Sequence, residues 1–249
     1  MAITRLPDGI SDRAASDPLA QLEMLDPTKY AVFIEDFVDG DFVADMDGVV
    51  SGRGWTQTMG AELDLDVGLS GATGALTLTA EGGDNEGGQT YLNNATFNLT
   101  SGKKAFLETK LNIDAGALGT IGAQELFVGL AAKVTGTNFI DAGGTSLDAN
   151  ECWGFVSLAE EAGIDVEIHD NDTDSVTTDV GTLVDETNIV LSLYYDGTQT
   201  EIYVDGVHKG SITGTHPTGD AMTVMIHFKS DEAIAAVLSV DYVVVAVER

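Results

Sequence analysis

Tyr195-Asp196-Gly197-Thr198-Gln199-Thr200-Glu201-Ile202-Tyr203-Val204-Asp205-Gly206-Val207-His208-Lys209-Gly210 reads as two hairpins in tandem. Asp196-Gly197 and Asp205-Gly206 both carry the Asp-Gly pair that supplies positive φ in tight β-turns. Outward from this stretch the same grammar continues. Short apolar or alternating runs recur between turn signals at Tyr30 to Val38, Ala61 to Val67, Gly74 to Ala80, Ala105 to Ile113, Glu125 to Val134, Cys152 to Leu158 and Ile164 to His169. They go on at Asn188 to Tyr195, Thr200 to Asp205, Val207 to Ile212, Met222 to Phe228 and Val237 to Val247, and no segment keeps a helical period over three turns.

Composition agrees with an all-β chain. The 249 residues are 43% hydrophobic, enough for a packed core, and 29 glycines against 4 prolines suit many tight turns. Ala105 to Ile113 shows the strand logic: Phe106, Glu108, Lys110 and Asn112 point one way, Leu107, Thr109, Leu111 and Ile113 the other. Phe106 apart, this predicts one wet face and one dry face. The run Glu81-Gly82-Gly83-Asp84-Asn85-Glu86-Gly87-Gly88 reads as an exposed loop tip.

Residues 1–29 differ: Pro7-Asp8-Gly9, Asp17-Pro18 and Asp26-Pro27 punctuate a polar segment in which Leu19, Leu22 and Leu25 mark at most one short helical turn. This predicts an irregular N-terminal arm that docks on its own domain or on a neighbour. No repeat or linker divides residues 30–249, so they are expected to form one antiparallel two-sheet jelly-roll sandwich.

The tandem hairpins, with "Tyr-Val-Asp-Gly" leading to a strand that ends in Gly210, resemble the laminin-G and concanavalin A-like jelly rolls. The closing run Leu238-Ser239-Val240-Asp241-Tyr242-Val243-Val244-Val245-Ala246-Val247 looks like the last strand of that superfamily. The opening Met1-Ala2-Ile3-Thr4-Arg5-Leu6-Pro7-Asp8-Gly9-Ile10 and the step from Lys29-Tyr30-Ala31-Val32-Phe33 into the sandwich are similar to head-associated structural proteins of tailed bacteriophages. That resemblance implies a non-enzymatic virion protein, a capsid decoration or cement protein on the outer head surface. Its partners would be the major capsid protein and copies of itself, as a homo-oligomer such as a trimer.

Charge narrows the partners. With 41 Asp and Glu against 11 Lys and Arg, a formal net charge of −30 and pI near 4.1, the chain repels nucleic acid. No run of about 18 apolar residues offers a membrane span. Met1 to Arg13 lacks the apolar stretch of a secretory signal, so synthesis in a host cytoplasm is expected.

Three groups of residues invite a chemical reading. Glu62-Leu63-Asp64-Leu65-Asp66 resembles the Glu-x-Asp-x-Glu strand of laminarinase-like glycanases, with Glu62, Asp64 and Asp66 on one face. The third acid is Asp66 rather than Glu, and no Trp or Tyr cluster lies near it, so a solvated acidic strand is the preferred reading. Asp170-Asn171-Asp172-Thr173-Asp174 has the alternating acids of a calcium loop but lacks the Gly and the closing Glu of an EF-hand. Asp36, Asp39, Asp41, Asp45 and Asp47 stand similarly, so calcium is a candidate ligand without an assigned site. His169, His208, His216 and His227 have no zinc spacing, and the lone Cys152 reads as a buried structural thiol. No catalytic, cofactor or metal residue is therefore assigned. The alternatives to the virion reading are a carbohydrate-binding lectin-like module and, third, a glycan hydrolase using Glu62, Asp64 and Asp66.

Overall fold

The computed structural model describes residues 28–37, 54–59, 65–70, 74–80, 86–93, 97–118, 121–122, 124–132, 139–140, 146–147, 151–158, 162–171, 173–230 and 235–249. The arm expected over 1–29 lies outside them, apart from Thr28 and Lys29. Fifteen strands carry the described fold: β1 (Tyr30–Glu35), β2 (Trp55–Met59), β3 (Leu65–Ser70), β4 (Ala75–Ala80), β5 (Glu86–Leu92), β6 (Ala105–Asp114), β7 (Gln124–Ala131), β8 (Glu151–Ser157), β9 (Gly163–Asp170), β10 (Thr173–Thr182), β11 (Ile189–Tyr195), β12 (Gln199–Val204), β13 (Val207–Thr213), β14 (Thr223–Ser230) and β15 (Ala236–Glu248).

They form two antiparallel sheets. One has eight strands in the order β13-β12-β11-β6-β15-β4-β3, with β1 also beside β15; the other has seven, β10-β9-β8-β7-β14-β5-β2. This is the expected jelly-roll sandwich. Alternation along each strand builds the layer between the sheets: Leu107 and Leu111 of β6 and Leu191 and Leu193 of β11 meet Leu126 and Val128 of β7 and Val224 and Ile226 of β14. The decisive hairpins form as read. Asp205 (φ 50) and Gly206 (φ 73) both take positive φ between β12 and β13, as a two-residue turn of primed type requires.

Two local expectations are corrected. Gly87 and Gly88, read as a loop tip, lie in β5, paired with Lys229 and Phe228 of β14. A Cβ at Gly87 would collide with the Lys229 backbone and the Phe228 carbonyl oxygen, so glycine here permits close strand approach. The wet face of β6 is also partly dry. Phe106 packs with Tyr30, Tyr194, Tyr203, Val244 and Ala246 on the outer side of the eight-stranded sheet. Beside them the fully buried Glu108 accepts hydrogen bonds from Ser192 Oγ (2.8 Å) and Tyr242 OH (3.0 Å).

The long last strand changes phase once. Against β6, Val240 pairs with Leu111 and Tyr242 with Lys110, so Asp241 is an extra residue at a bulge. Before it Leu238 and Val240 enter the central core; after it Val243 and Val245 do. Asp241 turns outward to Lys110, 2.8 Å away.

Candidate functional site

At one end of the sandwich, strand ends and turns surround a cleft of about 370 Å³, lined by Ser101, Asp170, Tyr195, Gly197, Thr198, Gly214, Thr215, His216 and Thr218. The turn at Gly197 builds one wall. Its φ of +105° suits glycine, and a Cβ there would lie 2.7 Å from the Gly102 carbonyl carbon. Gly102 N–H donates to the Gly197 carbonyl at 2.8 Å, locking the two turns together.

Asp196 closes the same hairpin. Burial would raise its pKa, but hydrogen bonds from Gln199 N–H and from the Thr198 hydroxyl and N–H outweigh that and hold it below the usual carboxylate range.

Behind the wall a chain of hydrogen bonds crosses from one sheet to the other. Trp153 Nε1 of β8 donates to Thr200 Oγ1 of β12 at 2.9 Å, and Thr200 Oγ1 lies 2.9 Å from His216 Nε2. His216 Nδ1 lies 3.0 Å from the Gly214 carbonyl oxygen. A carbonyl only accepts, so Nδ1 carries the proton and Nε2 accepts from Thr200. Burial pushes the His216 pKa below the usual imidazole range, against the Gly214 bond and the charges of Asp196 and Asp170. The ring is thus neutral and of fixed tautomer. It packs against Tyr195, centroids 4.8 Å apart, whose hydroxyl donates to the Gly197 carbonyl at 2.9 Å.

One carboxylate of the cleft lining, Asp170, has a second carboxylate beside it on the adjacent strand. Glu151 opens β8 and Asp170 ends β9, and the two are direct cross-strand partners. By alternation they point the same way as Trp153 and Ile168, toward the gap between the sheets. Burial raises the pKa of the half-buried Glu151, and the charges of Asp220 and Asp170 add to the shift. Asp170 accepts a hydrogen bond from Asn171 Nδ2 at 3.1 Å. A carboxyl that retains its proton beside a hydrogen-bonded carboxylate can act as acid and base on one bond.

A second polar cluster lies on the outer face of the seven-stranded sheet, under apolar cover. Lys229 Nζ sits 2.9 and 3.1 Å from the two oxygens of Glu125, with side chains 1% and 0% exposed. Next to them His227 and Gln89, cross-strand partners, are wholly buried, and neither ring nitrogen of His227 and neither amide atom of Gln89 has a partner. Phe127 and Phe139 stack above this face, 4.4 Å apart, with Phe139 6.4 Å from the His227 ring.

The residues singled out from the sequence scatter. Glu62 and Asp64 lie outside the described residues, and Asp66 falls in β3, the edge strand of the eight-stranded sheet. Asp39, Asp41, Asp45, Asp47 and Asp172 also lie outside them. Asp170 pairs with Thr173 and Asp174 with His169, so the described ends of the acidic run face opposite sides of the β9–β10 hairpin and do not converge on one ion. Asp174 instead approaches His169 Nδ1 at 3.5 Å, while His169 Nε2 meets Glu167 at 2.9 Å. His208 contacts Glu201 at 2.6 Å on the exposed side of β12 and β13. Cys152 is buried, and burial drives its thiol well above the usual range. Among the described residues no group of three His, Cys, Asp or Glu has metal-holding geometry. Glu151 carried no sequence signal, because its partner lies nineteen positions away on another strand.

By sequence, no family model matches the chain and no curated protein does. By structure the likeness is extensive. SCLam, a non-specific endo-β-1,3(4)-glucanase from family GH16, aligns over 90% of this chain and 93% of its own, at 14% identity and a TM-score of 0.61. The endo-1,3-β-glucanase from Streptomyces sioyaensis covers 88% and 96%, at 13% identity and 0.60. The catalytic domain of an endo-1,3-β-glucanase (laminarinase) from Thermotoga petrophila RKU-1 covers 88% and 98%, at 11% identity and 0.58. At these identities the likeness establishes the fold. It also corrects the expectation of a non-enzymatic capsid decoration protein, because these matching architectures are glucan-cleaving enzymes.

Proposed function

We propose that this chain is a glycan hydrolase acting on a polysaccharide at the open end of the sandwich, with Glu151 as proton donor and Asp170 as the partner carboxylate. The observation that carries the reading is the cross-strand pairing of Glu151 with Asp170, which lines a hydroxyl-rich cleft. The near-full-length likeness to endo-glucanases supports it.

Glycosidic cleavage needs one carboxyl that still holds its proton, to protonate the departing oxygen, and a second that is ionised. Burial and two neighbouring carboxylates favour the protonated form of Glu151. Directly opposed residues on antiparallel strands have Cβ atoms about 4.5–5.5 Å apart. Side chains rooted that close can bring their carboxyl groups to about 5–5.5 Å, the separation that suits attack by Asp170 itself on the anomeric carbon with retention of configuration.

Hydrolysis of soluble β-1,3- and mixed-linkage glucans by reducing-end release tests the reading. Glu151→Gln and Asp170→Asn should each lower kcat by about 10²–10⁴-fold with the thermal midpoint unchanged, and the first product seen by proton NMR should retain the β-anomer. Wild-type protein without activity, or variants with full activity, would overturn it.

A further inference from the structure

The Glu125–Lys229 pair fits a different chemistry from that of the cleft. The two residues are direct cross-strand partners on β7 and β14, at the middle of the seven-stranded sheet. Nζ faces the carboxyl group almost symmetrically, at 2.9 and 3.1 Å from its oxygens. Both side chains are essentially without solvent contact. A buried ion pair costs desolvation of two charges, which the pair's attraction offsets only in part. An amide in the same place carries no net charge.

We propose that Lys229 and Glu125 condense to an isopeptide bond that staples β14 to β7. In the balanced step the Lys229 ammonium passes one proton to the Glu125 carboxylate, and the neutral amine attacks Cδ. The Nζ–Cδ bond forms, the Cδ–OH bond breaks, and the oxygen leaves as water with a second proton from nitrogen. No oxidant or co-reactant is needed.

The surroundings supply the assistance. His227 lies two residues from Lys229 on the same face of β14, and its unpartnered nitrogens provide one donor and one acceptor, the pair needed to move a proton from nitrogen to oxygen. Gln89, with an unpartnered amide, stands opposite His227, across β14 from Glu125, and keeps the strand beside the pair polar but dry. Gly87, opposite Lys229, leaves the lysine backbone clear of any side chain from β5. Phe127 and Phe139 exclude the water that would otherwise solvate the charged pair.

Intact-mass spectrometry of the full chain, denatured after folding, tests the bond. The wild-type mass should fall short of the sequence mass by about 18 Da, one water, while Lys229→Arg, which keeps the ion pair but cannot condense in this geometry, should show the full mass. Trypsin cuts after Lys110, Lys133 and Lys209, so digestion should yield peptide 111–133 joined to 210–249, with Lys229 resistant to cleavage. Full mass in folded wild-type protein, an 18 Da deficit that persists in Lys229→Arg, or separate peptides ending at Lys229 would each overturn the proposal.

Discussion

His216 and His227 are both buried and both have pKa values lowered chiefly by burial, yet their surroundings are opposite. His216 sits at the sandwich end with each ring nitrogen engaged, one by Thr200 and one by Gly214, in a relay anchored on Trp153. His227 sits on the outer face of the seven-stranded sheet with neither nitrogen engaged, beside a lysine–glutamate pair and beneath phenylalanines. Burial is therefore not the property that separates the regions. In one, polar groups satisfy each other and hold a cleft in shape; in the other, Glu125 and Lys229 pair while His227 and Gln89 beside them are kept dry and without partners.

The largest effect that would sharpen this contrast comes from the dry region. Glu125→Ala leaves Lys229 buried without its carboxylate and should lower unfolding free energy by about 3–5 kcal/mol in urea titrations. A loss below roughly 1 kcal/mol would mean that water reaches the lysine and that the second region is not dry.

Next comes the acid response. Burial, aided by the charge of Lys229, pushes the His227 pKa down to about 3, so the unfolded chain takes up a proton near the ordinary imidazole pKa while the folded chain does not. The stability is present above pH 6.5 and is lost as pH falls from there toward 3, by an amount on the order of a few kcal/mol. His227→Phe should flatten that part of the stability–pH curve. His216→Asn should flatten it less, because the Gly214 bond and two carboxylates oppose the shift there. Equal flattening would erase the distinction.

The smallest effect lies in the relay. Thr200→Val removes the acceptor of Trp153 and the donor to His216 and should cost about 1–3 kcal/mol, read as a fall in Tm. If kcat on glucan also falls while the fold survives, the relay positions the cleft wall as well as stabilising it.

Much of the fold was legible because β-strands announce themselves locally. Asp205-Gly206 specified its turn by backbone chemistry alone, and the alternation in Ala105 to Ile113 found a strand at its true place. What misled was the assumption that each sheet has one wet face. Phe106 and Glu108 are covered on the outer side, and two glycines at a strand crossing read as a loop because their reason is a neighbour 140 positions away. The candidate site was less legible still. Glu62, Asp64 and Asp66 drew notice because they are consecutive on one strand, whereas Glu151 and Asp170 become a pair only through β8–β9 register. Glu125 and Lys229 likewise meet only when β7 and β14 align.

The bulge at Asp241 bears on how such a chain can drift. In any uninterrupted strand, gaining or losing one residue inverts every side chain that follows, the structural counterpart of a frameshift. Here the inversion is already written into β15, with Val240 and Val243 both facing inward across it. Loss of Asp241 would leave Val240, Tyr242 and Val243 as a regular run opposite Leu111, Lys110 and Thr109, so the bulge would vanish while Val243 and Val245 stayed inward. At this position, more than elsewhere in the strand, a lineage can change the length of the strand and keep a hydrophobic interior.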